Sequence, residues 1–180
     1  MTAPEYIQLR AFARIDGVKL AILWLASFAF YVLGLKTSGF GLVSLLLAFA
    51  TPFLSARLLR HFRDEGLEGF ISFGRGWVYV VFQFFYAGLL FAIAQFVYFA
   101  YLDHGFFMNG ISQMFSDPAT SEAMRQMGMS ATIEESLQML MSLRPIDLAL
   151  NILTSNLILG CLIAVPIAAI CKRNRIEQIK

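Results

Sequence analysis

A chain of 180 residues has the size of one compact unit, and its 58% hydrophobic and 14% charged residues depart from soluble averages of about 45–50% and 25%. The net charge of +2 is too small to imply a nucleic-acid surface, and no nucleic-acid partner is expected. The two cysteines, Cys161 and Cys171, offer no zinc spacing and no redox pair. Both fall in one apolar run, where ten positions on a helix span about 15 Å, too far for a mutual disulfide.

The first sixteen residues, MTAPEYIQLRAFARID, carry four charges and no apolar core, so no cleavable signal is expected and the first span should stay as an anchor. They read as a short basic helical lead-in. Span one follows over 18–35, with Lys19 at its start, where a flexible stem returns the ammonium to the headgroups. Lys36-Thr37-Ser38-Gly39 reads as a tight turn. Span two covers 40–56 and contains Pro52, a residue tolerated in membrane helices with a kink.

A charged connector occupies 57–75, and span three, 76–102, is 27 residues without a charge. A helix of that length reaches roughly 40 Å, against a hydrocarbon core of about 30 Å. The outer segment 103–145 is polar: it has five acids against two bases and seven of the eight methionines. Within it, Asp117-Pro118 opens a helix to Gly128, and Thr132–Glu135 has capping-box form for a second to about Leu143. Ile133, Leu137, Leu140 and Met141 share one face of that second helix. Span four covers 146–171 with Pro166 inside, before the tail CKRNRIEQIK.

Arginine and lysine placement sets the orientation. Arg10, Arg14 and Lys19, then Arg57, Arg60, Arg63 and Arg75, then Lys172, Arg173, Arg175 and Lys180 make eleven on one side, against Lys36, Arg125 and Arg144 on the other. The expectation is an all-α four-transmembrane-helix bundle in the cell inner membrane, both termini cytoplasmic, with amphipathic helices in the long outer loop. Those helices lie along the interface or fold over the bundle mouth.

Candidate polar contacts inside the membrane are Gln83 and Gln95 on span three, and Asp147, Asn151, Thr154 and Ser155 on span four. The glutamines, about 120° apart around the helix, serve either as interhelical hydrogen bonds or as part of a transport path. Positions 147, 151, 154 and 155 share a face. There a carboxylate either receives a cation or polar headgroup or suits the helix N-terminus. Asn156, Gly160, Ala164 and Ala168 step by four as a small-residue ridge for close helix contact. The eleven aromatics from Trp77 to Tyr101 read as lipid and helix contacts rather than a ligand cage.

Topology separates His61 from His104, so they share no metal. No HExxH, phosphate loop or nucleophile–base spacing appears, and none of the spans has a charge near its centre. The expectation is therefore no enzyme, no cofactor and no ion-coupled pump. In the connector, Gly66, Gly69, Phe70, Ser72, Phe73 and Gly74 form either a well-specified turn, with Ser72 capping span three, or a surface on which a cytoplasmic protein partner docks.

RDEGLEGFISFGRGW before span three, Tyr98-Phe-Ala-Tyr-Leu-Asp103 at its end, QMGMSATIEESLQML in the outer segment and the basic tail resemble a family of small Bacteroidota membrane proteins, domain of unknown function 4199. The resemblance runs over nearly the whole chain and implies a four-span integral membrane protein with no activity, cofactor or catalytic residue to carry over. His61 and Arg75 stand where that family has other polar residues.

The functional expectation is a non-enzymatic accessory or scaffold subunit that binds membrane lipid or a protein partner. Two alternatives stand beside it: a dimeric transporter or channel for an uncharged or lipid-like solute, and an accessory to a glycosyltransferase acting on lipid-linked sugars.

Overall fold

The computed structural model describes residues 1–37 and 39–173, the side chain of residue 119 excepted. Its described residues form seven α-helices: α1 (Ala3–Gly34), α2 (Phe40–Gly66), α3 (Phe73–Val97, widening into a π-helical turn at Tyr98–Leu102), α4 (Phe106–Ser116), α5 (Pro118–Gln126), α6 (Ser130–Ser142) and α7 (Pro145–Cys171). Four of them, α1, α2, α3 and α7, are long and apolar enough to cross a membrane. The chain is a multi-pass, all-α membrane bundle.

Three boundaries differ from the sequence reading. The lead-in and span one are a single helix from Ala3 onward. A capping contact, Thr2 N–H to Glu5 Oε2 at 2.7 Å, starts it. Gly17 does not break it but serves as a contact point: a Cβ there would lie 2.7 Å from Tyr86 Cβ and 3.1 Å from the Gln83 carbonyl. Span two likewise runs on to Gly66, because Leu58, Leu59 and Phe62 sit at helical spacing and are buried. Phe62 stacks on Tyr79 and meets Phe12 at a 5.0 Å ring separation. The true connector is thus only 67–72.

The outer segment holds three helices rather than two. The first, α4, went unread, although Phe107, Ile111, Met114 and Phe115 recur at helical spacing. Asp103 starts it by accepting from the N–H groups of Gly105 (3.1 Å) and Phe107 (2.9 Å), with Gly105 in the left-handed region at φ +82°. Asp117 caps α5 as the sequence led us to expect, through Thr120 N–H at 3.3 Å. The Thr132–Glu135 capping box does not form: α6 begins earlier, at Ser130, so Thr132 is already helical.

α3 is the centre of the bundle, packed against α1 on one flank and α7 on the other, while α2 packs mainly on α1. α7 is drawn close by the expected small-residue ridge, with Gly160, Ala164 and Ala168 buried. Both prolines, Pro52 and Pro166, lie inside unbroken helices. At one end, the basic end, the chain start, the connector and the end of α7 meet: Gln8 Nε2 donates to the Gly66 carbonyl at 3.0 Å, and Ile71 and Arg173 exchange two backbone hydrogen bonds of 3.0 Å. The helices α4–α6 lie at the other, the cap end. Arg175 and Lys180, which the charge count includes, and Ser38 of the first turn lie outside the described residues.

Candidate functional site

Hydrocarbon leaves a polar side chain no water to bond, so each one inside a span needs a protein partner or a ligand. The bundle meets this with a seam of hydrogen bonds linking α1, α2 and α3. Nearest the basic end, the Tyr79 hydroxyl donates to Asp16, whose other oxygen pairs with Lys19 Nζ at 2.7 Å. Asp16 is 2% exposed. Next, Ser55 Oγ donates to Gln83 Oε1 at 2.6 Å. Towards the cap, Trp24 Nε1 donates to Thr51 Oγ1 at 3.1 Å, and Ser27 Oγ donates to the Ser44 carbonyl at 2.9 Å.

Of the candidate polar contacts named from sequence, only Gln83 belongs to this seam, and Lys19, expected to reach back to the headgroups, pairs with Asp16 at its basic end. Asp16 was read as the end of a lead-in, and the polar positions of span two went unnoticed. A signal for them exists: Ser44, Thr51 and Ser55 are spaced by seven and four, which places them on one helix face.

Beside the seam, towards the cap, lies a cavity of about 500 Å³ walled by α1, α2, α3 and α7. Its inner wall is Trp24, Phe28, Phe84 and Phe91, with Ser27, Ser44, Thr51 and Asn156 as the polar points. Phe49 and Leu159, both exposed, edge its mouth, where α2 and α7 approach only loosely. In a bilayer that mouth faces acyl chains. An apolar chamber of this size with a few placed polar groups has the make-up of a small-molecule site.

The span-four stripe turns inward only at its cap end, where Asn151, itself exposed, borders a cavity under the cap. Thr154 and Ser155 are exposed, and Thr154 bonds back to the Leu150 carbonyl at 2.9 Å. Asp147 folds back onto Arg144, at 2.8 Å from Nε and 3.3 Å from the backbone N–H, and so caps α7. Gln95 is buried and leaves its Oε1 without a donor, as Gln83 leaves its Nε2 without an acceptor.

The connector is largely committed to holding the fold. Gly69 at φ +86° donates to the Arg63 carbonyl at 2.9 Å and closes the end of α2. Gly66 faces the Phe62 ring, whose Cδ2 a Cβ would meet at 3.0 Å. Ser72 caps α3 through Arg75 N–H at 3.4 Å, and Phe70 packs under the Arg173 guanidinium. Arg63 Nη1 donates to the Cys171 carbonyl at 2.9 Å, so the end of α2 clasps the end of α7. Ser72, Phe73 and Gly74 are the members left exposed.

Among the described residues no three His, Cys, Asp or Glu side chains gather as a metal site. His61 pairs with Glu65 at 3.1 Å near the basic end, and His104 lies at the cap end, its Nδ1 3.1 Å from the Leu102 carbonyl. No curated protein and no solved structure matches the chain. A family described as "Protein of unknown function (DUF4199)" matches residues 16–173, which takes in the seam, the cavity, the connector and the cap. The chain belongs to the DUF4199 family.

Proposed function

We propose that this protein is a non-enzymatic accessory subunit of the cell inner membrane that holds a lipid-like molecule in the chamber between α1, α2, α3 and α7. The observation that carries the reading is the membrane-facing mouth of that chamber, edged by Phe49 and Leu159 over an aromatic wall. An apolar chain entering it leaves one hydrocarbon surrounding for another, and the serines and Asn156 are placed to meet a polar group travelling with it. Retention rather than passage fits the seam, whose hydroxyl, indole and carboxylate groups bond one another and leave no continuous polar path. In this reading the basic end faces the cytoplasm, and Phe73 and Gly74 on the connector are where a protein partner would dock.

Trp24 lines the chamber and reports its occupancy. In protein carrying Trp77→Phe, reconstituted in vesicles of phosphatidylcholine with brominated acyl chains, Trp24 fluorescence is expected to be quenched. Ala48→Phe, which fills the mouth, should cut that quenching about twofold without altering helical content or particle mass. Quenching that is absent, or equal in the two proteins, overturns the reading.

A further inference from the structure

The first half of α1 carries two exposed arginines one turn apart, Arg10 and Arg14. Like charges at that spacing repel each other. Ion pairs among the described residues engage Lys19, His61, Arg63, Arg75, Arg125 and Arg144, but neither of these two. Arg10 is instead braced by aromatic groups of α1 and α3. Its guanidinium lies 5.6 Å from the Tyr6 ring centroid and 5.9 Å from that of Phe82, and its Nε donates to the Tyr86 hydroxyl at 3.5 Å. A long cationic side chain held in this way has less freedom to lose when it binds.

Depth and neighbours decide what the pair can meet. α1 ends at Gly34, twenty residues after Arg14, and twenty residues of helix span about 30 Å, the thickness of a hydrocarbon core. Arg14 thus stands at headgroup level, with Arg10 one turn outside it. The same row continues in steps of four towards the cap with Val18 and Ile22, 43% and 61% exposed. Two positive charges therefore lead into an apolar ridge, which matches a phosphate followed by its acyl chains. The acids of this part of α1 are engaged, Glu5 with Arg75 and Asp16 with Tyr79 and Lys19. They leave no carboxylate to receive the cation of a zwitterionic head.

From this we infer that Arg10 and Arg14 bind the phosphate of an anionic phospholipid whose acyl chain lies along Val18 and Ile22. The site shares no residue with the chamber between α1, α2, α3 and α7 and does not require it. The test is therefore run in protein whose chamber is blocked by Ala48→Phe.

Native mass spectrometry of the full chain in detergent would measure uptake of palmitoyloleoylphosphatidylglycerol against palmitoyloleoylphosphatidylcholine. The anionic lipid should bind about tenfold better. Arg10→Gln and Arg14→Gln should each cut its uptake about fivefold, and the double variant should erase the preference. Arg57→Gln removes one exposed charge from α2 instead and should change uptake by less than about twofold. Equal uptake of the two lipids, or a preference that survives the double variant, overturns the inference. So does a loss in Arg57→Gln as large as that in Arg10→Gln, because net charge rather than a site would then be the cause. Displacement of the bound lipid by an equal concentration of its water-soluble head, glycerophosphoglycerol, overturns it as well, since the apolar ridge would add nothing. Both arginines are exposed, so their variants should keep the parent's melting temperature in lipid-free detergent. A fall of more than about 4 °C would mark them as parts of the fold rather than of a site.

Discussion

Replacing Asp16 with alanine is expected to destabilise the bundle by roughly 2–3 kcal/mol, the range for losing a hydrogen bond to a charged group and leaving its buried partner unsatisfied. Asp16 is 2% exposed and holds the Tyr79 hydroxyl, itself 0% exposed, together with Lys19. Without the carboxylate, the phenol keeps only a long contact of 3.5 Å to the Leu58 carbonyl. Lys19 loses less, because its side chain is 49% exposed and can extend towards headgroups. Asp16→Asn retains an acceptor and should fall between the two. Tyr79→Phe removes the stranded donor, so Asp16→Ala with Tyr79→Phe should lose clearly less than the sum of the single changes. The check is a double-mutant cycle on thermal unfolding in detergent, and additive losses would show that the two groups act independently.

Gly160→Leu should be of similar size, at roughly 3 kcal/mol, for a steric reason. A Cβ at this position would lie 2.6 Å from Phe84 Cβ and 2.7 Å from Phe84 Cγ. Phe84 is 1% exposed and wedged between Trp24 and the ridge of α7, so it cannot move aside without reopening the α1–α3 contact. α3 and α7 must separate, and the wall of the membrane-facing chamber separates with them. Gly41→Leu is the control. It lies within α2 with nothing within 4 Å of its Cβ, so it should be neutral or slightly stabilising through helix propensity. Melting temperatures of the two variants measured side by side decide the point, and equal shifts would deny that close backbone approach holds α3 to α7.

How much of this was legible in the sequence follows the physics of each signal. The four spans declared themselves because a run such as 76–102 has no place outside lipid. Span ends were less visible: hydropathy marks where charge begins, not where a helix stops, and Leu58, Leu59 and Phe62 carry α2 beyond its apolar stretch. The ridge at 160, 164 and 168 was readable because small residues at a spacing of four have one structural use. Asp16 was not. Its burial depends on Tyr79, 63 positions away, and nothing local distinguishes it from a solvated charge at a helix start. The span-four stripe failed for the opposite reason: periodicity showed that its polar residues share a face but not which way that face turns. Neither cavity is written in any single helix, since each is made of residues from at least four elements.

Single cysteines on a background lacking Cys161 and Cys171 test the account most directly, at Ser121 in the cap and at Ser72 in the connector, both exposed. Intact cells treated with a membrane-impermeant maleimide should label Ser121→Cys at once and Ser72→Cys only after the membrane is opened. Labelling of both positions in intact cells, or of Ser72→Cys alone, would contradict the four-span arrangement with its basic end inside.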